Sequence, residues 1–193
     1  PLMAVLAQLH PALFGEQPLP LKRGIFQDLV ARHGAQLPEA DLKAALGLHT
    51  RSTRYLTAVA AGQSRHDLDG QPVEPMAPEH VHHALLEVFK RRQQRTQEDL
   101  APKLRRRLAQ AFEASGLARE DYVLLVRNRD ESVNQLLDEA LGEAAASAAR
   151  DEALLRAYEA SGQTVEAFAE AYGRDPREVR RTVDEALRRR QRA

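Results

Sequence analysis

The second half of the chain contains an internal repeat, and this repeat limits the fold more than any other feature of the sequence. Residues 108–141 align without gaps onto residues 154–187, and both segments end in the letters DEAL. Each copy has a helix-forming run that ends at a glycine, then a short helical segment, a turn and a longer helical segment. Two copies are too few for a solenoid. We therefore predict an all-α region of two similar three-helix units, joined by residues 142–150.

The paired positions of the repeat predict where helices end and which residues are buried. Gly116 and Gly162 should each end a helix, because glycine tolerates the left-handed conformation of a cap. Position 127 is Arg where the second copy has Gly173, so the first copy lacks the turn glycine. The apolar pairs expected to be buried at equivalent places are Phe112/Tyr158, Tyr122/Phe168, Val133/Val179 and Leu141/Leu187.

Short amphipathic helices are predicted in the first half of the chain. Apolar residues recur at helical spacing over residues 24–33, and Gly34 suits the C-terminal cap of that helix. A second helix should start after Pro38, and a third over residues 51–59 with Thr50 as its N-cap. The second helix should bury the stripe Leu42, Ala45, Leu46 and His49.

A hairpin and one longer helix complete the first half. Asp69-Gly70 between two short extended runs is a strong hairpin signal, and Pro78 suits the start of a helix over about residues 79–97. We therefore predict a mainly α protein with a small β-hairpin. Its two domains should span residues 1–97 and 98–193.

Composition excludes several classes of protein. The 193 residues contain no cysteine, so neither a disulfide framework nor a thiolate metal site is available. No apolar run reaches the ~20 residues of a membrane span, and no signal peptide is visible, so we expect a cytoplasmic protein. The 28 Lys and Arg balance the 28 Asp and Glu, which argues against a polycation that coats nucleic acid. Any nucleic-acid site must therefore use individually placed charges.

Residues 19–70 carry such placed charges together with hydroxyl and aromatic groups. Cations can attract phosphate, and a tyrosine can stack on a base or bind a backbone oxygen. The segment Thr50-Arg51-Ser52 combines two hydroxyls with the free backbone N–H groups of a helix start, which suits an anion. Each such residue, taken alone, is also typical of an ordinary solvated surface. Composition does not decide between the two interpretations.

Three motifs in this half resemble one known family. They are PLKRGIFQDLVAR at 20–32, LKAALGLHTRSTRYLTAV at 42–59 and SRHDLDGQPV at 64–73. In this order they closely resemble the ProQ/FinO family of bacterial RNA chaperones, over roughly residues 3–97. The resemblance implies a FinO-like α+β domain that binds structured RNA, typically a terminator hairpin with a single-stranded 3′ tail. It also implies a role in pairing small RNAs with messengers.

The resemblance also implies an RNA-binding surface. Lys22, Lys43, Arg54, Tyr55 and Arg65 match RNA-contacting or face-forming positions of the family, and Thr50 and Ser52 match its pocket for the RNA 3′ end. We read Tyr55 and Arg65 as surface groups that close this pocket. Glu39 and Gly47 stand where family members often carry basic residues. The complete predicted set is Lys22, Arg23, Lys43, Thr50, Arg51, Ser52, Arg54, Tyr55, Arg65, Lys90 and Arg91.

The remaining candidate sites favour binding over catalysis. His80, His82 and His83 lack supporting carboxylate or cysteine ligands, so we interpret them as surface residues and predict no metal. No nucleophile elbow, P-loop or carboxylate pair is present, so we predict neither an enzyme nor a cofactor.

The alternative function is a transcriptional regulator that binds DNA. Residues 164–183 fit a helix-turn-helix, with Ala169, Gly173 and Val179 at the small, turn and core positions. Arg177, Arg180 and Arg181 should then be mainly exposed. We favour RNA as the partner: small RNAs, messenger 3′ ends and terminator hairpins. The C-terminal region should modulate RNA binding or engage a protein.

Overall fold

The structure is a computed structural model that describes residues 2–192. Over these residues the chain forms eleven helices and one two-stranded antiparallel sheet, so the prediction of a mainly α fold with a small hairpin is confirmed. No helix among the described residues combines the length and the apolar character needed to cross a membrane.

The first eight elements run from Leu2 to Gln93. They are α1 Leu2–Leu9, α2 Pro11–Phe14, α3 Ile25–His33, α4 Glu39–Thr50, α5 Thr53–Ala60, β1 Arg65–His66, β2 Pro72–Glu74 and α6 Pro78–Gln93. The remaining five are α7 Ala101–Ser115, α8 Arg119–Val126, α9 Glu131–Ser161, α10 Val165–Ala171 and α11 Pro176–Arg192.

The chain divides into two compact units, Pro1–Leu137 and Asp138–Ala193. Helices α7 and α8 both pack against α6, so the first unit continues past residue 97, where the first domain was predicted to end. The division into domains at residue 97 stays a prediction, because compactness does not show which segment folds alone.

The hairpin forms around the predicted Asp69-Gly70 turn. The carboxylate of Asp67 accepts hydrogen bonds from the backbone N–H groups of Asp69 (3.0 Å) and Gln71 (2.9 Å). Gly70 has φ 74°, a left-handed conformation that other residues rarely adopt. A second backbone segment joins the hairpin at His66, whose N–H donates to the Pro20 carbonyl (2.7 Å) and whose carbonyl accepts from Lys22 N–H (2.8 Å). The segment before α3 is thereby fixed against β1.

The core of the first unit lies between helices α1, α4, α5, α6, α7 and α8. Helix α4 buries its predicted stripe of Leu42, Ala45, Leu46 and His49. Leu6, Leu13 and Leu29 are fully buried as well.

Gly34 is the C-terminal cap of α3, as predicted, and its φ of −52° means that it caps the helix without the left-handed turn that glycine allows. Two other local predictions need correction. Helix α6 ends at Gln93 rather than at residue 97, because Gln93 turns its side chain to bind the Glu98 carbonyl and Leu100 N–H. Residues 142–150 are not a separate joint, since they lie inside the continuous helix α9.

The two copies of the repeat share the same local structure at their helix ends. Gly116 and Gly162 follow α7 and α9 with φ 66° and 61°, as predicted. The serine before each glycine donates its hydroxyl hydrogen to the carbonyl of an aromatic residue: Ser115 to Phe112 (2.6 Å) and Ser161 to Tyr158 (2.7 Å). Duplicated sequence has therefore kept duplicated hydrogen bonds.

The buried pairs of the repeat agree with prediction only in part. Tyr122 and Phe168 are fully buried, and each meets its aromatic partner edge-on, with ring centroids 5.3 Å and 5.5 Å apart. Those partners, Phe112 and Tyr158, are half-buried rather than buried, because a ring that covers the edge of the core leaves part of its own surface in solvent. Val133 and Leu187 are half-buried too, whereas Val179 and Leu141 are buried.

The turn after the short helix differs between the copies. In the second copy Gly173 adopts φ 63°, and α11 begins at Pro176. In the first copy Arg127 adopts φ −50° and ψ 128°. Two hydrogen bonds of the Asn134 side chain take the place of the glycine turn: Asn134 accepts from Asn128 N–H (2.9 Å) and donates to the Asn128 carbonyl (2.9 Å). The third helix consequently starts one residue later in the first copy.

The second unit has a small core of its own. Phe168 lies at its centre, packed with Leu155, Val179 and Val183. Tyr172 stacks on Phe168 with ring centroids 4.5 Å apart and remains largely exposed.

Candidate nucleic-acid interface

The predicted anion site lies where α4 ends and α5 begins, and Ser52 is the N-cap of α5. The Ser52 hydroxyl accepts the N–H of Tyr55 (3.2 Å), which makes Ser52 the N-cap of α5. The prediction that Thr50 is this cap is wrong. Helix α4 continues through Thr50, whose hydroxyl donates to the Leu46 carbonyl one turn earlier (2.9 Å).

The first turn of α5 offers unused hydrogen-bond donors. The N–H groups of Thr53 and Arg54 have no acceptor within their own helix, as is general at a helix start. The N-terminal end of the helix dipole adds partial positive charge at the same place. Arg51 and Arg54 are both exposed beside it. We call residues 50–54 together with Arg91 the α4–α5 junction.

Arg91 reaches the α4–α5 junction from α6. Its guanidinium donates to the Arg51 carbonyl (2.9 Å) and to the Thr53 hydroxyl (3.0 Å), and it lies 3.7 Å from a Glu87 oxygen one turn earlier on its own helix. Arg51 in turn lies across Gly47, with its guanidinium 3.5 Å from the place where a side chain at Gly47 would begin. Arg91 therefore binds this helix start directly, and the exposed residues Arg51 and Arg54 flank its serine cap in the sequence.

Tyr55 and Arg65 hold the backbone of Leu21 from both sides. The Tyr55 hydroxyl accepts the Leu21 N–H (3.0 Å), and the Arg65 guanidinium donates to the Leu21 carbonyl (2.9 Å). We call these three residues the Leu21 clamp. The segment before α3 is thus tied to α5 and to β1 at a single residue.

The expectation that Tyr55 and Arg65 are surface groups is wrong. Tyr55 is only 5% exposed, and burial raises the pKa of its phenol. The Arg65 side chain is 15% exposed and also lies 3.9 Å from Glu74 and 3.0 Å from the His80 ring. The Leu21 N–H and carbonyl require hydrogen-bond partners inside the fold, and the Tyr55 and Arg65 side chains supply them.

A buried histidine connects the Leu21 clamp to the α4–α5 junction. The ring of His49 lies 5.1 Å from that of Tyr55 and 5.0 Å from that of Phe14. Burial lowers the pKa of His49, a hydrogen bond to the Leu13 carbonyl opposes this, and the nearby charge of Arg54 lowers the pKa further. The positive charge of Arg54 therefore acts on a group inside the fold.

Three other predicted cations, Lys22, Arg23 and Lys43, each have different surroundings. Lys22 forms an ion pair with Asp28 (2.8 Å), whose hydrogen bond raises the Lys22 pKa. Arg23 is largely exposed, and its backbone N–H donates to the Glu74 carboxylate (3.2 Å). Exposed Lys43 lines a surface depression on α4 with Phe26 and Glu39.

Exposed Lys90 lies near a carboxylate in the first unit. Hydrogen bonds from Ser132, and to a smaller extent the charge of Lys90, lower the pKa of Asp130. Prediction from the sequence missed the groups that hold the cations in place: Thr53, Glu74 and Glu87. Only Glu87 had a local signal, since it stands four residues before Arg91 on one helix face.

The interpretation of the three histidines as surface residues is wrong for His82. His80 and His83 are exposed, whereas His82 is 3% exposed and packs edge-on to Tyr122, with ring centroids 6.3 Å apart. Burial lowers the pKa of His82 to about 4. No group of three or more potential ligands from His, Cys, Asp and Glu is arranged to hold a metal within the described part of the chain.

The second unit contains the predicted helix-turn-helix spacing in α10 and α11. Thr164 caps α10 by accepting the N–H of Ala167 (3.2 Å). Val179 is buried as predicted, and Ala169, at the predicted small position, is buried as well. Arg177 and Arg181 are exposed. Other cations of α11 are engaged by acids of the same unit: Arg180 with Glu166, Arg189 with Asp151, and Arg190 with Glu152 and Glu159.

Comparison with known protein families identifies the first half of the chain. The model of the ProQ/FINO family matches residues 1–101, which include the α4–α5 junction, the Leu21 clamp and the hairpin. This match confirms the resemblance carried by the three motifs. It supports a general role as an RNA-binding chaperone, in a family that is not known for enzymes. The chain belongs to the ProQ/FINO family of RNA-binding proteins.

Proposed function

We propose that this protein recognises structured RNA, in the form of a terminator-like hairpin with a single-stranded 3′ tail. We further propose that it acts in the cytoplasm as a chaperone for small RNAs and for messenger 3′ ends. The family match supports RNA binding in general. The choice of RNA feature rests on the α4–α5 junction.

The single observation that carries the proposal is the grouping of donors at the start of α5. Arg91 binds the start of α5, the exposed residues Arg51 and Arg54 stand on either side of its serine cap in the sequence, and Glu87 pairs with Arg91. A terminal nucleotide offers a phosphate for the guanidinium and N–H groups and a sugar hydroxyl for the threonine and serine oxygens. A free RNA end therefore suits this place better than an internal duplex phosphate.

Contacts to the hairpin stem should be few. The protein has no net charge, and three exposed cations of the predicted set, Arg23, Lys43 and Lys90, lie before α3, on α4 and on α6. Affinity for a duplex alone grows with the number of phosphates that a protein neutralises. We therefore expect shape and the 3′ end to contribute more than charge.

Three RNAs with one hairpin test the proposal with the full chain. The first ends in a free 3′ U-tail, the second lacks the tail, and the third has the same tail with a blocked 3′ end. We expect binding of the second and third to be weaker by about tenfold or more, because charge-assisted contacts at the end are lost. Equal dissociation constants for all three RNAs would contradict recognition of the 3′ end.

DNA binding through α10 and α11 is the second candidate, because Arg177 and Arg181 are exposed on a helix with the required turn before it. The same titration with duplex DNA separates the two functions. Tighter binding to DNA than to the tailed hairpin, lost in an Arg177→Gln/Arg181→Gln double variant, would favour a transcriptional regulator.

A further inference from the structure

We propose that the groove between α5, α6 and α7 is a second RNA site, which holds a base of the same single-stranded tail. This inference rests on the function proposed above, since it takes the tail terminus to lie at the α4–α5 junction. The groove is lined by Thr57, Phe89, Arg92, Leu100, Lys103 and Arg107, among others. Lys103 and Arg107 lie beyond residue 101, where the family match ends.

The size and floor of the groove suit one flat ring. Its volume is about 230 Å³, below the ~300–1,000 Å³ typical of sites for drug-sized ligands. Leu85, Val88 and Leu104 form an apolar floor, and the half-buried ring of Phe89 lies beside them. An aromatic ring next to an apolar floor can stack with any base, so the contact would tolerate different sequences.

The charged groups of the groove suit the phosphate that accompanies such a base. Arg92, Lys103 and Arg107 line it, and none of its lining residues is acidic. Arg107 is held in position by donating to the Ala60 carbonyl (3.1 Å). Lys103 pairs with Glu98 (2.7 Å), but both side chains are more than half exposed, so this pair costs little to exchange for a phosphate.

The groove continues the surface that starts at the α4–α5 junction. Thr57 lies one turn after Thr53 on α5, and its hydroxyl donates to the Thr53 carbonyl (2.8 Å). Four residues of helix correspond to about 6 Å. On α6, Arg91 binds the α4–α5 junction while its neighbour Arg92 lines the groove. An RNA strand whose end is held at Thr53 therefore passes the groove with an adjacent unpaired nucleotide.

Paired charge variants of the full chain test this assignment. The groove variant is Arg92→Gln/Lys103→Gln. The control, Arg95→Gln/Arg106→Gln, removes the same two charges from exposed positions that do not line the groove. Each protein is titrated with hairpins whose 3′ U-tails increase one nucleotide at a time. Thermal melting of both variants checks that they fold equally well.

We expect the wild type and the control to bind more tightly as the tail lengthens. For the groove variant, this increase in affinity should be about tenfold smaller. With a single-nucleotide tail, the groove and control variants should bind alike. If the groove variant keeps the whole gain, or if both variants lose the same factor at every tail length, the groove is only the packing seam between α6 and α7.

The inference and the proposed function can fail separately. If wild-type protein binds free and blocked 3′ ends equally, the proposed function fails at the α4–α5 junction. If it discriminates between them while the groove variant behaves like the control, only the groove assignment is overturned. A 4-thiouridine in the tail provides a direct reading, since the assignment requires photocrosslinks to peptides that contain Phe89 or the start of α7.

Discussion

The Leu21 clamp and the α4–α5 junction use neighbouring residues of one short helix in opposite ways. Tyr55 turns inward and binds a backbone group 34 residues away, whereas Arg54 stays exposed with its guanidinium in solvent. The Arg65 guanidinium likewise binds a backbone group, the Leu21 carbonyl. The comparison shows that residues of the family motifs divide into those whose side chains bind the protein backbone and those whose side chains are exposed.

The largest effect should come from removing the Tyr55 ring. We expect Tyr55→Ala to lower the free energy of unfolding by about 3–5 kcal/mol, as is usual when a buried aromatic ring is deleted. Tyr55→Phe is the matched variant, because it keeps the ring and leaves only the Leu21 N–H without its acceptor, at a cost of about 1–3 kcal/mol.

Urea unfolding followed by circular dichroism measures the free energy of unfolding of Tyr55→Ala and of Tyr55→Phe. Equal midpoints for Tyr55→Ala and the wild type would place the ring outside the core and remove the distinction between the Leu21 clamp and the α4–α5 junction.

The next effect concerns Arg65, which shares the Glu74 carboxylate with Arg23. Arg65→Met should destabilise the fold by about 1.5–3 kcal/mol, because the Leu21 carbonyl loses a charged donor. Arg23→Met removes a cation beside the same carboxylate but from an exposed position, so it should change stability by less than about 0.5 kcal/mol. Similar midpoints in urea for the two variants would show that the partial burial of Arg65 has no energetic weight.

Arg54, by contrast, should contribute to RNA binding and little to stability. We expect Arg54→Gln to weaken binding of the tailed hairpin by about 10–100-fold, which corresponds to ~1.5–3 kcal/mol for a lost charged contact. Its unfolding midpoint should stay within about 0.5 kcal/mol of the wild type. Arg106→Gln, an exposed change of the same charge on α7, is the control. An equal loss of affinity in both variants would mean that Arg54 contributes only general charge.

The smallest effect links the two regions through His49. Burial lowers the pKa of this imidazole, and the charge of Arg54 lowers it further, so Arg54→Gln should raise the pKa toward its ordinary value. Bound RNA phosphate should act in the same direction by screening Arg54. Titration of the ring carbon and nitrogen shifts by NMR follows both changes. A fall in the His49 pKa in either case would contradict the contact between the two regions.

The sign of the pH effect on stability follows from the lowered pKa. A histidine whose folded pKa lies below its unfolded value of about 6.5 contributes its full stability above pH 6.5. That contribution is lost as the pH falls through the folded pKa, because the unfolded chain then binds more protons. Arg54→Gln should therefore reduce the loss of stability on mild acidification.

Local patterns were enough to predict most of the fold. The helical spacing around Leu42 and the Asp69-Gly70 turn depend on neighbours in sequence, and the structure contains both. The repeat glycines were predictable for the same reason. His82 also had a local signal that went unused, since it precedes buried Leu85 and Leu86 by three and four residues on the inner face of α6.

The Leu21 clamp could not be predicted from sequence. Its two hydrogen bonds join residues 34 and 44 positions apart, and both end on the backbone of a leucine. Nothing near Tyr55 in the sequence distinguishes a tyrosine that binds a buried N–H from one that stacks on a base. The prediction of Thr50 rather than Ser52 as the cap failed for a different reason, because α4 runs further than its apolar stripe indicates.

The long separations within the Leu21 clamp bear on the order of folding. Isolated helical turns form within about a microsecond, whereas contacts across 34 and 44 residues require a large loop to close first. The start of α5 can thus be helical before Leu21 is held in place. Interactions absent from the transition state act mainly on the unfolding rate. Weakening the Leu21 clamp should therefore leave the rate of folding nearly unchanged and shorten the lifetime of the folded protein.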